Sequence, residues 1–199
     1  GKLNSRGVHS LDCYSVESIY YHPDMLRLAV TRLSDVDGGD IQARVKQATD
    51  AALSALHGHK TRLCEKQVTR TLRTRLLDSL PTSRDVRKKQ AIEVRLEVPV
   101  ELEAEERRFQ SELDSQNYLE LLHRYPLRET GALADICHAL GFHDRRQYER
   151  TVLKLCSECE QAREVAFSLL GSLSEELSAE QTAAEQTKPA DVLPDGQGS

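Results

Sequence analysis

Few residues in this chain have both the type and the spacing to do chemistry, and Glu17 is the first of them. The stretch "VHSLDCYSVESIYYHPDML" reads as a short strand from Val8 to Cys13, a tight turn, and a helix that Ser15 caps and Glu17 begins. An acid just beyond the carboxyl end of a strand lies where α/β sheets gather catalytic and metal-binding groups. The same acid in a first helical turn also suits the helix dipole and needs no further role. The second group is cationic. Arg62, Lys66, Arg70 and Arg73 recur at steps of four, four and three, so a helix would carry them on one face, beside its apolar stripe. Such a face can follow a phosphate backbone, because each neutralised phosphate releases counterions. Arg84, Arg87, Lys88 and Lys89 would extend the path. No aromatic residue stands nearby in sequence to stack on bases, so binding would be independent of base sequence. A solvated helix face without a partner is the plain alternative.

Three other patterns are weaker. "SDVDGGD" offers Asp35, Asp37 and Asp40, but a calcium loop counted from Asp35 needs a glutamate at its twelfth position and finds Lys46. A solvated turn is the simpler reading. "CSEC" sets Cys156 and Cys159 one helical turn apart, whereas a structural zinc site normally draws on two such pairs. Cys137, His138 and His143 would have to complete it, and buried, unpaired cysteines are the default. "ADICHALGFHDRRQYERTVLKL" has the outline of a helix-turn-helix, with a glycine in the turn and a basic start to its second helix. Tyr148, Val152, Leu155 and Cys156 equally make the packing stripe of an ordinary helical hairpin. The nucleotide and hydrolase signatures GxxxxGK[ST], GxGxxG, GxSxG and HExxH are absent.

The elements that must position these groups are mostly helical. Pro23 suits the opening of a helix over about 24–33. Asp40 can cap the next one, in which Ile41, Val45, Ala48, Ala52 and Leu56 recur at spacings of three and four. Residues 61–80 repeat Val68, Leu72, Leu76 and Leu80, and Pro81 ends that helix. "AIEVRLEVPV" alternates, which predicts an edge strand or a strand-to-helix junction. Residues 101–116 read as helix, as do Asn117 to Arg124, stopped by Pro126. "TGALADICHALGF" gives a helix with Leu133, Ile136, Cys137 and Leu140 inward, and one long helix follows from an Asp144 cap. After about Ser174 the composition turns to Glu, Ala, Gln, Thr, Pro and Gly, as in a disordered acidic tail.

The totals bound the class. Among 199 residues with a net charge of −5, the segment 60–89 holds ten basic residues against three acidic ones, so the remainder carries −12. No apolar run approaches the roughly 20 residues that span a membrane, and no secretory signal is legible. Five cysteines without framework spacing predict reduced thiols and a cytoplasmic, soluble protein.

The opening stretch resembles a segment of Toprim-type domains attached to AAA-like ATPases, the group that includes the overcoming-lysogenization-defect nucleases and related phage-defence proteins. Val16, Glu17, Ile19, Tyr20 and Pro23 match the strand-then-"vEnyl" outline, with Ser18 where Asn is commoner. "RYPLRETGALADICHALGF" and "RRQYERTVLKL" are similar to the helical tail of the same proteins, through Arg128, Glu129, Thr130, Leu140, Gly141, Tyr148 and Glu149. The likeness covers about residues 7–30 and 120–156. It implies a mainly α fold with a small Toprim-like α/β remnant at 1–35, a helical domain at 36–173 and the tail at 174–199. It also implies that the P-loop and the main Mg²⁺-binding acids would lie upstream, so that the chain is the C-terminal portion of an ATP-dependent, Toprim-type nuclease-like protein acting on nucleic acid, with no catalysis expected of this portion alone. Mg²⁺ and ATP would belong to the intact parent, and no cofactor is expected in this chain. Glu17 would support the metal site, and Arg62, Lys66, Arg70 and Arg73 would contact nucleic acid. An ATPase domain or subunit, nucleic acid and a second copy of the chain are the expected partners, without a membrane. Two other readings stand beside it: a non-enzymatic helical interaction module, and a helix-turn-helix regulator.

Overall fold

The computed structural model describes residues 14–37, 40–81, 83–88, 93–171 and 173–174. The expected strand at Val8–Cys13 and nearly all of the expected tail lie outside them. The fold is mainly α, and no strand occurs among the described residues.

Helix α1, Glu17–Tyr20, is one turn long, and α2, Pro23–Asp37, starts on its proline. The α2 side chains Met25, Leu26, Ala29 and Val30 are fully buried. Helix α3, Ile41–Leu56, is capped as its sequence requires: the Asp40 carboxylate accepts from the Gln42 and Ala43 backbone N–H groups at 2.9 and 3.2 Å. Its inward face includes Val45, Ala48, Ala52 and Leu56. The two alanines let α3 come close to α8, Ala132–Ala139, which is its main packing partner. Around this pair stand α2, α7 (Tyr118–Arg124) and α9 (Arg145–Glu158).

Helices α4, Lys60–Asp78, and α6, Val98–Asp114, form a hairpin that runs out of this core. Leu63, Cys64, Val68 and Leu72 of α4 are buried, but the same stripe continues into solvent: Leu76 and Leu80 are exposed. The short helix α5, Ser83–Lys88, follows. Residues 93–97 are extended and exposed, and α6 begins directly after them. Of the two expectations for the alternating stretch, the described part takes the junction form, without a strand partner among the described residues.

Two helices end alike. Beyond α8 the Phe142 N–H reaches the Cys137 carbonyl and the Gly141 N–H reaches that of His138, both at 2.9 Å, with Gly141 at φ +88°. Beyond α6 the Asn117 and Gln116 N–H groups reach Glu112 and Leu113, with Gln116 at φ +55°. Both are Schellman closures, which satisfy carbonyls the helix leaves open.

The long C-terminal helix expected from the sequence is two helices. It breaks at Cys159, whose backbone is extended (φ −119°, ψ 120°), into α9 and α10, Glu160–Ser168. The break lets α10 fold back on α9 and α2, burying Ala162 completely. Arg163 donates to the freed carbonyls of Cys156 and Ser157 at 3.4 and 3.1 Å. A straight helix would have carried that apolar face away from the core.

Candidate nucleic-acid interface and the Glu17 junction

Two segments far apart in sequence, α1 with the turn after it and the region of α7 to α9, meet in space. Ser18 donates to the Leu122 carbonyl at 3.2 Å, and both residues are buried. The Tyr148 hydroxyl donates to the Tyr20 carbonyl at 2.5 Å, while the Tyr118 hydroxyl donates to that of Tyr21 at 2.9 Å. The Tyr21 and Tyr148 rings lie 5.1 Å apart, and Phe142 packs edge-on against Tyr148. The Tyr21 hydroxyl donates to Glu149 Oε1 at 3.0 Å, and Arg145 holds the same oxygen at 2.8 Å. A tyrosine cluster therefore fastens the turn after α1 to α7 and α9.

Glu17 lies at the edge of this junction and forms an ion pair with Arg128. Partial burial works against its charge, but its backbone N–H, the Ser15 hydroxyl and Arg128 together hold the carboxyl below its ordinary range. Ser15 thus serves the carboxylate, and the residue at the helix N-cap position is Val16, which gives no side-chain cap. The cleft lined by Glu17, Ser18 and Arg128 has a volume of about 10 Å³, room for about one water. Glu17 is the one acid among the residues that line this cleft. No cluster of three or more His, Cys, Asp or Glu side chains suited to a metal occurs among the described residues.

Directly beside Arg128, Glu129 turns the other way. Its carboxylate pairs with Lys66 and its carbonyl accepts from Arg62. These two cations are therefore engaged within the chain. Arg70 sits 4.5 Å over the Tyr14 ring. An open groove of about 570 Å³ along α4 is lined by Tyr14, Thr69, Thr74 and the cations Lys66, Arg70 and Arg73, together with the acids Glu65 and Glu129. Of the four basic residues found from spacing, Lys66, Arg70 and Arg73 line this groove and Arg62 does not, being held on the Glu129 carbonyl; an aromatic residue and two threonines join them. Tyr14 escapes sequence reasoning because its partner is distant in the chain. Thr69 and Thr74 escape because threonine on a helix face carries no signal of its own.

The other candidates settle into structure. Cys64 and Cys137 are buried and free, and burial pushes their thiols up to about 12 and about 11. Both stay protonated near neutrality and pack as small apolar groups. Cys156 and Cys159 no longer share a helix face, since Cys159 lies at the break. Asp40 serves as a cap; the side chains of Asp35 and Asp37 lie outside the described residues. The hairpin α8–α9 does place Asp144 as a cap on Gln147 N–H at 2.8 Å, with Tyr148, Val152 and Leu155 inward and Arg146, Arg150 and Lys154 outward.

Sequence reasoning missed the buried charge of the fold. Glu105 of α6 accepts both arms of Arg124, at 2.6 and 2.5 Å, and the Tyr125 hydroxyl at 2.7 Å. Its side chain is only 9% exposed. The spacing Leu102, Glu105, Phe109, Leu113 on α6 is the signal that could have found it, because it places this acid in the apolar stripe.

No protein family, curated protein or solved structure matches the chain. No helix among the described residues is long and apolar enough to cross a membrane.

Proposed function

We propose that this chain is a helical, nucleic-acid-contacting portion of an ATP-dependent, Toprim-type nuclease-like protein. One observation carries the reading: the residues of the family likeness, drawn from 16–23 and 128–149, converge on one junction. Tyr20 and Tyr148 are hydrogen-bonded, as are Glu17 and Arg128. Such a junction would hold the C-terminal edge of a Toprim-like unit against the helical region and fix its distance from α4.

The part assigned to these residues is binding. Arg70 and Arg73 supply charge along the groove, Thr69 supplies a hydroxyl, and Tyr14 supplies a ring, while the Thr74 hydroxyl is spent on the Arg70 carbonyl at 3.1 Å. No step of ATP or phosphodiester chemistry is assigned to them. Arg70→Glu with Arg73→Glu should weaken filter binding of single- and double-stranded probes and flatten its salt dependence by about two phosphate contacts. Binding unchanged in both strength and salt slope removes the groove from the account.

A second reading has one observation in its favour. The outward row Arg146, Arg150 and Lys154 follows a capped second helix, as in a helix-turn-helix. It requires protection of a defined duplex sequence, lost on Arg150→Ala.

A further inference from the structure

The far end of the α4–α6 hairpin is apolar and open. An ion pair from Arg75 to Glu101 ties the end of α4 to the start of α6, so both helices contribute to this end. Leu77 is 65% exposed and Val100 58%, and Leu80, Val86, Leu96 and Val98 are exposed with them. Into this end runs the extended segment 93–97. No backbone hydrogen bond among the described residues joins 93–96 to another part of the chain. Its side chains alternate: Val94, Leu96 and Val98 form one row, Glu93, Arg95 and Glu97 the other. Among the described residues, Arg95 pairs with Glu97 at 2.9 Å, on the surface.

An exposed edge of this kind is a template for another strand, and its charge pattern selects which. We infer that residues 93–97 pair antiparallel with the same segment of a second copy of this chain, with Arg95 opposite Glu97 of the copy. A two-fold axis at Leu96 sets Leu96 against Leu96 and points Val94 at the start of α6 of the copy, where Val98 is exposed, so apolar groups meet. It also makes two Arg–Glu cross-strand pairs by symmetry. An axis at Arg95 would oppose arginine to arginine and Glu93 to Glu97, and a shift by one residue would oppose charges to apolar groups. Pro99 has no N–H to give. It stands in the first turn of α6, outside the strand, and the Arg95–Glu97 pairs would take non-hydrogen-bonded sites. Opposed side chains come closest there. The pairing would cover the valines and leucine of the row and draw the flanking helix ends together.

The inference stands apart from the α4 groove, and either can fail without the other. The test is the solution mass of the full chain by light scattering over a wide concentration range, with far-UV circular dichroism to confirm unchanged helix. The wild type should pass from monomer to dimer. Leu96→Asp should leave a monomer. Arg95→Glu should weaken association about tenfold, and adding Glu97→Arg should restore it. A monomer at every concentration overturns the inference, as does a dimer indifferent to Leu96→Asp and Arg95→Glu, or rescue of Arg95→Glu by Glu93→Arg in place of Glu97→Arg.

Discussion

At the scale of single residues, the ion pair of Glu105 and Arg124 decides most. An acid this far from water is tolerated because a guanidinium and a phenol satisfy both its oxygens. Removing Glu105 leaves the Arg124 guanidinium, which water still reaches in part, without its partner, so Glu105→Ala should cost about 1–3 kcal/mol in urea unfolding. The double change Glu105→Leu with Arg124→Met should cost clearly less than the two single changes combined, because no orphaned charge remains. Acid should act on the fold in two stages. Burial lowers the pKa of His22, so its neutral form is favoured in the fold, and stability should begin to fall as pH drops below its ordinary value near 6.5. Burial alone would raise the carboxyl pKa of Glu105, yet Arg124 and Tyr125 hold it below 4.5. Its stabilising contribution is therefore complete above 4.5 and is lost as pH falls through the lowered value. A melting series from pH 8 to pH 3 checks both, and a Glu105→Gln variant should flatten the lower stage. At this scale the sequence was legible for the caps Asp40 and Asp144, but not for Ser15, which turns to the Glu17 carboxylate while Val16 stands at the N-cap position. It was mute for Tyr14 and Tyr21, whose partners are chosen only by tertiary packing.

At the scale of elements, the two Schellman closures make a matched experiment. Gly141 has open space where a Cβ would stand, so Gly141→Ala should cost about 1 kcal/mol from backbone strain alone. Gln116 occupies the same left-handed position with an exposed side chain, so Gln116→Gly should gain up to about 1 kcal/mol. Denaturation midpoints of the two variants should move in opposite directions. Element existence was largely readable, because a period of three to four residues marks a buried helix face. Two features were not. The break at Cys159 leaves no proline or glycine behind, since it is driven by where α10 can bury Ala162. The outward turn of Leu76 and Leu80 cannot be read from a stripe that is regular from Val68 onward. Periodicity shows that a face is apolar; it does not show that the fold supplies a neighbour along its whole length.

At the scale of the whole molecule, the 3-10 turn Leu127–Glu129 links everything described above. Arg128 holds Glu17, and Glu129 holds α4. Under the proposed function this arrangement has a further consequence. A carboxylate lying on Lys66 occupies the place a phosphate oxygen would take, so the protein carries its own competitive ligand. Incoming nucleic acid must displace Glu129 before Lys66 is available, and binding energy is spent on that exchange. Glu129→Gln should therefore tighten nucleic-acid binding at fixed salt, the reverse of what loss of a contact residue does. Filter binding of this variant beside the Arg70 and Arg73 pair would separate the two effects. Once displaced, Glu129 would be free while its chain neighbour still grips Glu17, and occupancy of the groove would be felt at the start of α1 through a single peptide bond.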